Sequence, residues 1–252
     1  MAAQDPLFEY LLRLGDNCLI LSHRLSEWCG HGPVLEEDLA LTNVALDLIG
    51  QTQLWLCLAG EVEGRGRSDD QIAYLRDAGD FRNVLLVEQP NGDYAHTIAR
   101  QFYFDAWHLL LLQNLSHSHY ERVAEIAAKG LKEVRYHRER SSDWVIRLGD
   151  GTAESHLRMQ DALDDLWTYT GELFELDAID RALLPDGIAV DLEKLHGPWL
   201  HYVGSILSEA TLKLPQDNWM QRGGKRGVHS EHLGYILAEM QFLQRAYPNA
   251  NW

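Results

Sequence analysis

Glu133 and His137, in the stretch KEVRYH, lie four residues apart on one helical face, a spacing that binds metal in other folds. Asp16, Asp47 and Asp105 are acids set within otherwise apolar helical stretches. Acids and imidazoles projecting into a helical bundle are what a carboxylate-bridged pair of metal ions requires. One acid comes from each of two helices and a Glu-x-x-His from each of the other two, so the ions share carboxylates while each keeps its own imidazole. Along this chain the series runs Asp16, then Asp47-x-x-Gly50, and after a gap Asp105, then Val134-x-x-His137, with the two halves matching in spacing. The ligand set is incomplete, because Gly50 and Val134 offer no lone pair. The acids and His137 are therefore expected to be remnants of a degenerate site, neither catalytic nor metal- or cofactor-binding, with Glu133 hydrogen-bonded behind them. A lone Asp or His on a buried helix face is more often hydrogen-bonded than metal-bound, and Asn43 and Gln51 are the nearby donors in helix register. The alternative is a mononuclear or di-metal oxidase built from Asp16, Asp47, Asp105, Glu133 and His137.

The elements that must position these residues are helical. Apolar residues at three- and four-residue spacing predict a first helix from Leu7 to Trp28 and a second over about 34–61, opened by Pro33. The second is apolar on nearly all sides and is expected to be the most buried element. Residues 62–92 read as a long connection with one or two short helical pieces. A third helix follows from Tyr94 to Leu115 and a fourth from about His119 to Leu148. A fifth over about 153–175 is capped by Thr152, a sixth spans about 191–211, and a last one runs from Glu231 to Tyr247. No segment alternates like a strand, and there is no repeat of 20–50 residues. Two helix pairs joined by a long crossover between the second and third helices define the layout of a ferritin-like four-helix bundle. The expected organisation is a single all-α domain over 1–252, with the core bundle in 1–150 and additional helices in 151–252.

Composition narrows the function classes. The 252 residues carry 38 acidic against 22 basic side chains, a formal charge of -16, which disfavours nucleic acid and anionic lipid as partners. Three cysteines without a Cys-x-x-Cys pair fit a reducing cytoplasm. The start lacks a basic leader, and no apolar run approaches the ~20 residues that would span a bilayer. The loop RGGKRG, Arg222 to Gly227, offers three cations on a pliable backbone, fit either for a ligand's phosphate or an acidic partner or for plain solvation. The tryptophans, and Leu233, Ile236, Leu237, Met240 and Leu243 of the last helix, are expected in the core.

The stretches LRLGDNCLILSHRLSEWCGHGP, LALTNVALDLIGQ, LLVEQPNGDYAHTIARQ, KEVRYH and GGKRGVHSEHLGYILAEMQFLQR together resemble the structural, C-type subunits of bacterial ring-1,2-phenylacetyl-CoA epoxidases, over nearly the whole chain. The resemblance implies a ferritin-like, non-catalytic chain with a degenerate metal centre. It further implies a catalytic di-iron subunit as partner, together with small subunits and a reductase that passes electrons from NADPH through flavin (FAD) and iron–sulfur groups. The partner would bind phenylacetyl-CoA and epoxidise its ring with O₂, and this chain would hold no cofactor of its own.

Overall fold

The computed structural model describes residues 5–216, 219–248 and 250, and among them the chain is helical without a strand. In chain order the α-helices are α1 (Pro6–Ser26), α2 (Leu35–Glu63), α3 (Asp69–Leu75), α4 (Leu85–Glu88), α5 (Tyr94–Leu115), α6 (Glu121–Gly149), α7 (Ala153–Trp167), α8 (Ala178–Leu183), α9 (Glu193–Glu209), α10 (Glu231–Met240) and α11 (Phe242–Ala246). No helix among the described residues is long and apolar enough to cross a membrane. The chain divides into two compact units. One takes in the sequence up to Glu88 and from Gly223 onward, and the other spans Gln89–Arg222.

In the first unit α1 packs against α2. Pro6 at the first turn and the Asp5 carboxylate, which accepts from Leu7 N at 2.8 Å, start α1. Almost all of α1 is buried, whereas α2 buries one face only: Leu41, Val44, Leu48, Trp55 and Leu56 are covered. Leu35, Leu39 and Leu46 of α2 are 70%, 54% and 62% exposed, so the most buried helix of this pair is α1 and not α2 as its composition suggested. A helix apolar on nearly all sides has a second face for which this unit supplies no cover.

The connection after α2 holds three short pieces, α3, a 3-10 turn at Ala78–Asp80, and α4, against the one or two expected. The C-terminal segment returns to this connection. Gln241 donates to the carbonyls of Ala73 (3.1 Å) and Arg76 (3.0 Å), and the last helix breaks there into α10 and α11. Leu233, Ile236, Leu237 and Met240 are accordingly buried, while Leu243 beyond the break is 46% exposed. The RGGKRG loop is neither open nor solvated throughout, since Lys225 is buried and Gly224 sits against the backbone of Asn83 and Leu85. A Cβ at 224 would collide with the Asn83 carbonyl oxygen. Gly224→Ala is therefore expected to cost about 2–4 kcal/mol, read as a lowered thermal midpoint, because backbone rather than a flexible side chain would have to give way.

A polar clasp joins the returning segment to the connection. Glu88, fully buried, accepts from Asn83 Nδ2 (2.9 Å), His229 Nδ1 (2.8 Å) and the Ser230 backbone N–H (2.7 Å). His229 Nε2 lies 3.0 Å from the Phe81 carbonyl, so both ring nitrogens face acceptors and only the imidazolium donates to both. Burial opposes that charge, but Glu88, the Phe81 carbonyl and Asp16 outweigh it and raise the His229 pKa above its ordinary 6.5. A histidine raised on folding contributes stability that is complete below pH 6.5 and is lost as pH rises through the folded-state value. His229→Ala is expected to cost about 2 kcal/mol at pH 6, from lost charged hydrogen bonds, and clearly less at pH 9. Thermal midpoints of both proteins across that range check it.

In the second unit α5 packs against α6, α7 and α9. Its bounds fall where expected, with the Asp93 carboxylate accepting from His96 N at 3.0 Å to cap it. The Thr152 hydroxyl caps α7 by accepting from Ser155 N at 3.1 Å. This helix ends at Trp167, short of the expected 175, and Gly171–Phe174 continues as a 3-10 turn. The short α8 was not foreseen. Tyr103, Trp167 and Trp199 pack ring against ring with centroids 5.6–5.8 Å apart, and Trp199 Nε1 donates to the Tyr103 carbonyl at 3.0 Å. Trp219, by contrast, is 75% exposed, and Trp252 lies outside the described residues.

Candidate functional site: carboxylates and histidines of the long helices

Asp16 projects from α1 toward the connection that follows α2. Both of its oxygens are bound by the Arg76 guanidinium, through Nη1 at 2.9 Å and through a shorter contact from Nη2. The Arg82 backbone N–H adds a third bond at 2.8 Å. Arg76 is itself fixed by donating from Nε to the Ile72 carbonyl (2.6 Å) and from Nη1 to the Asp80 carbonyl (3.0 Å), and it lies over the Phe81 ring at 4.3 Å. Asp16 is fully buried and Arg76 nearly so. A planar guanidinium thus supplies this buried carboxylate with a full positive charge and two hydrogen bonds.

On α2, Asp47 is half-buried and Gly50 lies on the exposed side, where a Cβ would meet nothing within 4 Å. Asn43 is exposed as well, while Gln51 is buried and its Oε1 lies 4.0 Å from Cys18 Sγ, which donates to it.

The second unit gathers the other group. Asp105 on α5 is fully buried; its Oδ1 accepts from Gln101 Nε2 at 2.7 Å, and its Oδ2 has no hydrogen-bond partner. Burial pushes its pKa up to about 6, against the opposing influence of His137, the Ser141 hydroxyl and Arg140 on α6 and of the Gln101 amide. His137 is 1% exposed, Val134 one turn earlier is fully buried, and Glu133 is half-buried. A third member, His108, was missed in the sequence although Asp105-x-x-His108 places it on the same face of α5. It is buried against Phe104, with ring centroids 5.0 Å apart. Burial and then His137 push its pKa down to about 3, so it is neutral at any physiological pH. Arg140, one turn beyond His137, donates to the Tyr94 hydroxyl at 3.2 Å.

The donor chemistry does not suit a pair of metal ions. Val134 and Gly50 have no donor atom, Asp16 is occupied by Arg76 and Arg82, and no three His, Cys, Asp or Glu side chains among the described residues are arranged to hold an ion.

Long paired helices with buried carboxylates and histidines fit a match over residues 1–252 to the model of the phenylacetic acid catabolic proteins, and the chain belongs to that family. It is similar to the C subunit of the 1,2-phenylacetyl-CoA epoxidase of Escherichia coli (strain K12), with 52% identity over 248 residues covering 98% of this chain and 100% of that relative.

Proposed function

We propose that this chain is a non-catalytic structural subunit of a phenylacetyl-CoA ring-1,2-epoxidase, working in phenylacetate catabolism in the cytoplasm. In this reading α1, α2, α5 and α6 are the four helices of a ferritin-like bundle whose metal site has decayed. The chain binds and supports a catalytic di-iron subunit, which an NADPH-dependent flavin and iron–sulfur reductase supplies with electrons. The observation that carries the reading is the buried Asp16–Arg76 pair, which spends a would-be ligand on an internal cation. Similarity to one subunit of an epoxidase supports the rest.

The test is reconstitution with the catalytic subunit. Omitting this chain is expected to abolish epoxidation, whereas His137→Ala leaves turnover per assembled complex within about twofold. A catalytic histidine would cost ~100-fold or more with assembly intact, and that result would overturn the reading. The buried Asp105, His108 and His137 are the observation behind one rival, a metal-dependent oxidase in its own right, although as they stand they are not arranged to hold an ion. Stoichiometric iron or manganese in protein purified alone from metal-replete cells would establish the rival instead.

A further inference from the structure

Arg67, Arg76 and Arg82, each withdrawn wholly or partly from solvent, are paired with Glu63 (2.6 Å), Asp16 and Glu9 (2.8 Å). Arg138 on α6 is half-buried as well, yet among the described residues no carboxylate is within ion-pair reach of it. Its guanidinium lies over the Tyr202 ring of α9, with Cζ 4.4 Å from the centroid, and its Nε is buried without a hydrogen-bond partner. The ring beneath it is fixed. Ser142 Oγ donates to the Arg138 carbonyl at 2.7 Å and therefore accepts from the Tyr202 hydroxyl, 2.8 Å away. Phe102 of α5 backs the same ring, with centroids 6.4 Å apart.

The surroundings hold no acid that could turn toward Arg138. Between Glu193 and Glu209, α9 carries none. On α6, Glu139 and Asp143 are exposed but follow Arg138 by one and five residues, spacings that leave them off its face. Arg135, one turn before Arg138, is exposed, and Glu139 makes no ion pair with it although it follows by four residues. The two arginines are about 4.5 Å apart along the helix. A cation that has lost part of its water without gaining a counter-charge is costly, and a bound anion removes that cost. The guanidinium fork presents paired N–H donors in the geometry of phosphate oxygens. Two such forks one turn apart suit two linked phosphates, whereas a single carboxylate would occupy only one of them. We propose that Arg138, seated on Tyr202, and Arg135 form a binding site for a diphosphate, free or carried by a nucleotide. The site lies within the second unit and needs no partner chain, so it stands or falls independently of the functional reading above.

The test is calorimetric titration of the full chain with pyrophosphate, with ADP and with succinate. Saturable one-to-one binding of pyrophosphate or ADP is expected, with succinate at least about tenfold weaker. Pyrophosphate as the tighter probe assigns a free diphosphate, and ADP as the tighter probe a nucleotide-borne one. Arg138→Lys keeps the charge but loses the fork, and should weaken binding about tenfold with helicity unchanged. Arg135→Gln, at an exposed position that folding tolerates, should weaken it several-fold. Arg147→Gln removes another α6 cation, one that lies over Trp144 at 5.4 Å, and should leave affinity unchanged. Absence of saturable binding by either phosphate probe would overturn the proposal. Equal losses in the Arg138, Arg135 and Arg147 variants would also overturn it, because they would show diffuse attraction to a basic helix. Succinate binding as tightly as pyrophosphate would overturn the assignment to phosphate.

Discussion

Arg76→Ala is expected to lower the stability of this protein by about 3–5 kcal/mol, the cost of leaving a buried carboxylate without its cation. Asp16 would keep only the Arg82 backbone N–H of its three donors. The loss should appear as a fall of roughly 10 °C in thermal midpoint for a chain of this size. Because the pair itself was expensive to bury, replacing both partners by apolar residues, as in Asp16→Leu with Arg76→Met, should cost less than Arg76→Ala alone. That non-additivity separates a charge left stranded from a simple loss of packing. A fall below about 1 kcal/mol in Arg76→Ala would show that water reaches Asp16, and that the guanidinium is not what holds it.

The long helices were legible because local signals agreed with the final packing. Asp93 caps α5 and Thr152 caps α7, and the apolar spacing between caps and breaks set the remaining ends of the long helices approximately. The signals failed where a distant residue decides. Met240-Gln241-Phe242 is compatible with a continuous helix, yet the Gln241 amide satisfies two carbonyls of the connection, and the helix breaks there. Arg76 sits in a polar stretch that reads as solvated surface, and nothing nearby in sequence announces its partner in α1. In α2 the apolar pattern marks the helix but not the extent of its burial, since hydrophobicity alone does not set how much of a helix its own unit covers. Of the polar group around Asp105, His108 was within reach of a helical-spacing argument, because it follows Asp105 by three residues. The donor Gln101 precedes Asp105 by four and was equally readable.

Asp105→Asn is expected to do the opposite of Arg76→Ala. Asp105 is fully buried with one oxygen hydrogen-bonded and one not, and its pKa is pushed from 3.8 up to about 6. For an acid raised on folding, the native state holds its proton more tightly than the unfolded chain does. No penalty is felt below pH 3.8; the penalty grows as pH rises toward 6 and is complete above it. At about 1.36 kcal/mol per unit, the ionised carboxylate costs about 3 kcal/mol at neutral pH. Asparagine has no charge to bury and keeps an oxygen for the Gln101 amide. The variant should therefore gain about 2–3 kcal/mol at pH 7, or about 5–10 °C in thermal midpoint, with the gain gone by pH 4. In a structural subunit this stabilisation leaves turnover of the assembled complex unchanged. Where Asp105 serves as a ligand, the same substitution removes a donor, so bound metal, stability and turnover all fall together. Melting curves at pH 4 and pH 7, set beside turnover per assembled complex, separate a carboxylate left over from a metal site from one still in use.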